Sequence, residues 1–284
     1  MAKRLSIQTG FATVNGTTLY YEVAGAGRPL VLIHGHLLDR RSWDEQFAVF
    51  AEQYHVVRYD QRGFGNSGLI TPGEAYSDRQ DLCDLLHVLG MERASLMGVS
   101  GGGALALDFT LEHPEMVDAL ILVTAGVSGF QPSAEQMQQY PEVMQLYTSL
   151  NAAFERHDIA QAVEISLALW TDGPGRLPGQ AAPAVRERVR EMTTRNWQRP
   201  DDEVQAQMPP VPLEPPAIGR LSEVSIPTLV MLGAYDVPNP LAFLATQIPQ
   251  AQTVVMAETA HHPFMEKPAE FNQLVLHFLQ AHQL

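Results

Sequence analysis

A serine with glycines two residues to either side, Gly98-Val99-Ser100-Gly101-Gly102, is where this chain could do chemistry. The apolar run Leu96-Met97 precedes it and Ala104-Leu105-Ala106-Leu107 follows, so the spacing predicts a strand that enters a sharp turn and leaves as a helix, a nucleophile elbow. Such a turn pushes the hydroxyl outward, and the glycines let the chain pass close to itself. The helix directs its free N–H groups and positive dipole end at the same point, where charge developing on a substrate oxygen would be stabilised. Asp236 follows the apolar run Thr228–Gly233, and His261 and His262 follow Gln252–Met256. A serine hydroxyl is a poor nucleophile at neutral pH, and an imidazole held by a carboxylate is the arrangement that activates it. The bland alternative is a glycine-rich turn without chemistry; the strand before it and the helix after it favour the elbow.

For three groups so far apart in sequence to meet, each must leave the carboxyl end of a strand in one parallel sheet. Pro29–Ile33, His55–Tyr59, Arg93–Met97, Ala119–Val123, Thr228–Gly233 and Gln252–Met256 read as strands. Several are uninterrupted apolar runs, as expected of strands covered on both faces. Ahead of them, Phe11–Val14 and Thr18–Val23 flank Asn15-Gly16, a hairpin signal that puts an antiparallel pair at one sheet edge. Helical stretches alternate with the later strands, which argues for a mainly parallel, doubly wound α/β sheet. Ser42-Trp43-Asp44-Glu45 has the form of a capping box, Ser77 heads a helix running to Gly90, and a closing helix spans Pro268–His282. His34-Gly35-His36 ends the Pro29–Ile33 strand and forms a second functional turn. Asp60 and Arg62, in the glycine-rich loop after Tyr59, read as a loop-bracing ion pair rather than as catalytic groups.

From about Phe130 to Arg199 the periodicity is helical throughout. It runs through Met137, Tyr140, Val143, Met144 and Tyr147, then Ile159–Trp170, then Val185–Trp197, with a break expected at Trp170-Thr171-Asp172-Gly173-Pro174. The proline-dense connector Met208–Pro216 then returns the chain to the sheet. The expected division is a core of residues 1–127 and 220–284 and an inserted helical cap of residues 128–219 lying over Ser100. Met144, Tyr147 and Trp170 from the cap, with His262 from the core, are candidates to line a substrate pocket, although methionine and aromatic residues at helical spacing are more often packing.

Eighteen Lys and Arg against 32 Asp and Glu give a net charge of −14, which repels phosphate backbones and anionic membrane surfaces. Nucleic acid and membrane partners are therefore not expected. The single cysteine, Cys83, sits among Leu82, Leu85 and Leu86 and reads as a buried structural thiol. Met1–Ser6 lacks the apolar core of a signal peptide and no stretch approaches a membrane span, so a soluble cytoplasmic protein is expected. His87, His113 and His157 are scattered without metal-ligand spacing, and neither a metal nor an organic cofactor is expected. The oligomeric state is open, a homodimer included.

The order serine, acid, histidine is that of the α/β-hydrolase triad, and the chain resembles that family over essentially its whole length. The resemblance is carried by His34-Gly35, Tyr59-Asp60-Gln61-Arg62-Gly63-Phe64-Gly65-Asn66-Ser67, Gly98-Val99-Ser100-Gly101-Gly102, Gly233-Ala234-Tyr235-Asp236 and His261-His262-Pro263-Phe264-Met265-Glu266-Lys267-Pro268. It implies the eight-stranded, mainly parallel sheet of the α/β-hydrolase fold with an inserted helical cap. It implies Ser100 as nucleophile, Asp236 as the acid and His261 rather than His262 as the base. In the family the catalytic histidine is followed five residues later by Glu and seven later by Pro, a register that Glu266 and Pro268 meet. Backbone N–H groups of Gly101 and His36 would form the oxyanion hole. The implied activity is that of a cofactor-free serine hydrolase acting through an acyl-enzyme on a small carboxylic ester or lactone. A carbon-carbon bond hydrolase or a perhydrolase would use the same triad, and a non-catalytic ligand receptor of the same fold is the reading from another class. Relatives that open epoxides or remove halides carry aspartate at the elbow, so Ser100 argues against both. The His34-Gly35-His36 turn departs from the glycine-rich turn of many lipases and argues against large acyl glycerides.

Overall fold

The structure is a computed structural model that describes residues 5–133, 135, 138–174, 176, 180–199, 209–237 and 245–284. Met137 of the first helical stretch, Met208 of the proline-dense connector and residues 1–4 lie outside the described residues. Eight strands form one sheet: β1 (Ile7–Val14), β2 (Thr17–Gly25), β3 (Pro29–Ile33), β4 (His55–Tyr59), β5 (Ala94–Val99), β6 (Val117–Val123), β7 (Thr228–Gly233) and β8 (Gln252–Met256). Their spatial order is β1-β2-β4-β3-β5-β6-β7-β8. The first two pairings are antiparallel and all later ones parallel. Asn15 and Gly16 join β1 to β2 with φ of 41° and 75°, the double left-handed geometry of a tight hairpin turn that matches strand twist.

Alternate residues of the central strands go to opposite layers. Val31, Ile33, Leu96, Leu120 and Leu122 pack with Leu82 and Leu86 of α2 (Asp78–Val88) and Leu105 and Phe109 of α3 (Gly101–Glu112). Leu30, Leu32, Met97, Val99 and Ile121 pack with Phe47 and Phe50 of α1 (Asp44–Phe50) and Phe271 and Phe278 of the closing helix, Pro268–Ala281. Both faces are dry, which is why these strands are apolar at successive positions rather than at every second one. The doubly wound α/β architecture follows. The order reverses at β3, whose neighbours are β4 on one side and β5 on the other. The turns leaving β3 and β5 therefore open a crevice between them, the place where such sheets bind ligands.

Two local expectations are corrected. Ser42 does not cap α1: it lies in a 3-10 turn, Arg40–Trp43, that Asp39 caps by accepting the Arg41 N–H at 2.9 Å. Asp60 and Arg62 brace the loop after β4, but not with each other. Arg62 makes a paired contact with Asp81 of α2 at 2.7 and 2.8 Å, whereas Asp60 accepts from the Arg40 guanidinium at 2.9 Å and the Asn66 N–H at 2.8 Å. The loop winds so tightly around the Asp60 carboxylate that a Cβ on Gly65, at φ 51°, would lie 2.3 Å from it. Ser77 caps α2 as expected, by accepting the Gln80 N–H.

Between β6 and β7 the described regular elements are helical: α4 (Pro141–Glu155), α5 (Ile159–Ser166), a π-helical turn (Leu167–Asp172) and α6 (Pro183–Trp197), followed by short 3-10 turns. Proline at the first position of α4 and α6 supplies a preset φ where a missing N–H does no harm. Helix α6 is tied to the core near the crevice. Thr193 Oγ1 donates to the Leu37 carbonyl at 3.1 Å and Asn196 Nδ2 to the Leu38 carbonyl at 3.0 Å, while Arg188 pairs with Glu45 and Arg195 donates to Asn66. Beyond β8 come α7 (Pro263–Glu266) and α8 (Pro268–Ala281).

Candidate active site

Ser100 lies between β5 and α3 with φ 54° and ψ −120°, a left-handed conformation that an L-residue other than glycine adopts only under strain. The surrounding glycines are dictated by contact. A Cβ on Gly98 would lie 2.2 Å from the Gly102 carbonyl oxygen, and one on Gly102 would lie 2.3 Å from the carbonyl oxygen of His34. Strand end, helix start and the β3 turn thus touch backbone to backbone, with no flexible side chain to give way. Gly98→Ala is expected to destabilise the protein by about 3 kcal/mol, the upper range of overpacking, and urea unfolding with activity measured in parallel checks it.

The β3 turn packs against the elbow. A Cβ on Gly35 would meet Ser100 Cβ at 3.1 Å, and one on Gly101 would strike the His36 ring at 2.6 Å, so the two turns lie side by side. Gly101 is the first residue of α3 and its N–H has no partner one turn back; neither it nor the His36 N–H makes a hydrogen bond among the described residues. His34, fully buried, braces this turn. Its Nε2 accepts the Gln61 N–H at 3.0 Å, which leaves Nδ1 as the protonated nitrogen, donating to the Gly35 carbonyl at 2.8 Å. The Gln61 side-chain amide donates to the His34 carbonyl at 2.6 Å. Burial holds the His34 ring below its ordinary pKa of 6.5 and so keeps it neutral.

Asp236 leaves β7 and His261 leaves β8, and the two join: His261 Nδ1 donates to Asp236 Oδ1 at 2.8 Å, with Asp236 also accepting the Val237 N–H at 2.8 Å. The His261 side chain is 8% exposed and that of Asp236 4%. The histidine loop is tied to the elbow through the end of β6. The Val123 carbonyl accepts the Ser100 N–H at 3.0 Å, and the hydroxyl of the next residue, Thr124, donates to the His261 carbonyl at 3.0 Å. Nothing in the sequence analysis singles out Thr124 or Gln61 as a site residue; the available signal is position, a polar residue one place beyond the end of β6 and two beyond the end of β4.

His262 is 1% exposed and packs edge-on to His261 and Phe264. Burial, with the His261 charge adding, holds its ring well below 6.5. This has a consequence for stability. In the unfolded chain His262 and His34 take up protons below pH about 6.5, whereas in the folded chain they stay neutral, so acidification favours unfolding. Below that pH each should remove up to about 1.4 kcal/mol of stability per pH unit. His262→Leu is expected to lose one such contribution, which urea unfolding at about pH 7.5 and about pH 5.5 measures.

Of the other pocket candidates, Tyr147 and Trp170 meet edge-to-face at 6.0 Å and are half-buried, as is Met144 on the same helix as Tyr147. Burial raises the Tyr147 phenol above its ordinary pKa, and the negative charge of Asp236 adds to the effect. Cys83 is buried against Met116 and His87, away from these groups. Among the described residues no cluster of His, Cys, Asp or Glu is arranged to hold a metal ion, and no helix is long and apolar enough to cross a membrane.

Comparison with known proteins gives a consistent result. The model of the alpha/beta hydrolase family matches residues 30–274. The chain is 30% identical over 271 residues to a pimeloyl-[acyl-carrier protein] methyl ester esterase of Pectobacterium carotovorum subsp. carotovorum, covering 93% of this chain and 99% of that protein. It is 28% identical over 274 residues to a 2-hydroxy-6-oxo-6-phenylhexa-2,4-dienoate hydrolase of Comamonas testosteroni, covering 92% of this chain and 91% of that protein. Among solved structures it resembles a thermophilic esterase from Thermogutta terrifontis with a TM-score of 0.74 and 26% identity, over 98% of this chain and 100% of that one.

Proposed function

The chain belongs to the alpha/beta hydrolase family, and on that premise we propose that it hydrolyses a small carboxylic ester or lactone through Ser100, His261 and Asp236. The observation that carries this reading is the 2.8 Å bond from His261 Nδ1 to Asp236 Oδ1 at the same sheet end where Ser100 heads α3. With Nδ1 occupied as donor, the imidazole keeps Nε2 as its basic nitrogen. His261 then takes the Ser100 proton as Oγ attacks the acyl carbon, and the carbonyl π pair moves to oxygen. The N–H groups of His36 and Gly101 receive that oxyanion, a donor each, and losing one such donor costs about 3 kcal/mol of transition-state stabilisation. Collapse expels the alkoxide, which takes the proton from His261. Water, deprotonated by the same imidazole, attacks the acyl-enzyme and regenerates Ser100 with release of the acid. Asp236 holds the ring orientation and stabilises the imidazolium in both halves.

The helices of residues 128–219 are the cap of this site, over a core of residues 1–127 and 220–284. Tyr147, Trp170 and Met144 line the acyl or alcohol side of the pocket, a reading supported by the edge-to-face pair that half-buried Tyr147 makes with Trp170, whose carbonyl accepts the His261 N–H. Burst release of p-nitrophenol from the acetate or butyrate ester, lost in Ser100→Ala and retained in Cys83→Ala, is the expected result. Tight binding of small molecules without Ser100 acylation would favour a receptor instead, and turnover of dienone acids in preference to every ester and lactone would favour carbon-carbon bond cleavage.

A further inference from the structure

We propose that Arg176, from the segment just past the π-helical turn, is a positioning residue for His261: its guanidinium joins the end of that turn to both flanks of the histidine loop. The inference rests on the hydrolase reading above. The Arg176 side chain is 7% exposed, and its ion-pair partner Glu266 is 5% exposed. Arg176 Nη2 donates to Glu266 Oε2 at 2.8 Å and to the Thr171 carbonyl at 3.1 Å, Nη1 to the Glu258 carbonyl at 3.3 Å, and Nε to the Asp172 carbonyl. Glu266 in turn accepts the Ala260 N–H at 2.7 Å through Oε1. One cation thus fixes the chain three residues before His261, five residues after it and, through Glu266, immediately beside it. The same guanidinium lies 5.2 Å over the ring of Tyr235, the neighbour of Asp236.

Local sequence explains why this turn is available. Pro174, four residues beyond Trp170, has no N–H, so the Trp170 carbonyl cannot be used in a continuing α-helix and instead accepts the His261 N–H at 3.1 Å. Gly173, at φ 82°, ends the turn where a Cβ would lie 2.2 Å from the Tyr235 carbonyl oxygen. The inserted helices are therefore in backbone contact with the strand ends bearing both Asp236 and His261. Burial raises the Glu266 carboxyl above its ordinary pKa, the Asp236 charge adds to this, and Arg176 opposes it. Without Arg176, the Glu266 carboxyl loses its ion-pair partner and one of the groups that hold it ionised.

The test uses purified full-length protein and p-nitrophenyl butyrate. Arg176→Met is expected to lower kcat by about 100-fold, the scale of a misplaced catalytic group, with KM changed by less than about threefold. The charged and titratable groups linked to His261 are Asp236 and His262, and those linked to Asp236 or to the histidine loop are Glu266, Tyr147 and Arg176. Loss of the cation and exposure of the Glu266 charge both favour imidazolium, so the acid limb of kcat/KM moves to higher pH. Glu266→Gln added to Arg176→Met removes both charges and brings the limb back, while Arg176→Lys restores part of kcat. A lowered melting temperature with kcat and the acid limb unchanged would mean that Arg176 only fastens the inserted helices and would overturn the proposal. If wild-type protein shows no Ser100-dependent turnover, the hydrolase reading fails on its own. The downfield Nδ1–H proton resonance of His261 then reads the positioning directly: broadened in Arg176→Met if the proposal holds, unchanged if it does not. Should Arg176→Met not fold, Arg176→Lys and Glu266→Gln carry the same two readouts.

Discussion

Ser100→Ala lowers kcat for p-nitrophenyl butyrate by about a million-fold, the scale seen when a triad nucleophile is removed, and also abolishes labelling by a fluorophosphonate. The fold should survive. The Ser100 side chain makes no cap hydrogen bond to α3, and the turn is held by backbone contacts among Gly98, Gly102 and the His34 carbonyl that alanine leaves intact. The expected melting temperature is within a degree or two of wild type, since the change deletes one hydroxyl from an unbonded position. Residual turnover within about tenfold of wild type, in protein shown by mass to be free of wild-type contaminant, would remove Ser100 from the mechanism.

Asp236→Asn is the second large effect, about ten-thousand-fold in kcat. The asparagine is nearly isosteric, so the loss comes from proton placement rather than from shape. An amide that turns its NH2 toward His261 Nδ1 makes that nitrogen an acceptor and moves the ring proton to Nε2, where it can no longer receive the serine proton. The imidazolium also loses a negative partner now 2.8 Å away. KM should change little, because Asp236 is not expected to touch substrate, and steady-state kinetics of the variant separates the two constants. A fall in kcat of less than about tenfold would mean that another carboxylate holds the ring.

Much of this architecture can be read from the chain because its elements are locally determined. Strands apolar at successive positions, such as Leu30–Ile33, announce burial on both faces, and Asn15-Gly16 and Ser77 carry their turn and cap chemistry in their own side chains. What could not be read depends on partners distant in sequence or on a choice between equivalent neighbours. Ser42 and Asp39 are both good capping residues, but a 3-10 turn precedes α1, so Asp39 caps that turn and α1 has no side-chain cap. Arg62 has Asp60 two residues away but turns to Asp81, since Asp60 is enclosed by Arg40 and the Asn66 N–H. His261 and His262 have the same composition and nearly the same position; β8 ends so that one ring reaches Asp236 and the other is sealed beside Phe264. The π-helical turn at Leu167–Asp172 is visible in sequence only as a break before Pro174, and its bond to His261 is a product of the tertiary fold.

The left-handed backbone at Ser100 sets heat resistance against turnover at a single codon. With ψ at −120° as well, φ 54° is a conformation that glycine takes far more readily than any residue with a side chain, so Ser100→Gly should be more stable than the parent by about 1 kcal/mol of relieved strain, while catalysing nothing. A breeding programme that ranks variants by survival of boiling alone will therefore drift toward inert proteins at this position, and only a screen that also demands product will keep the serine.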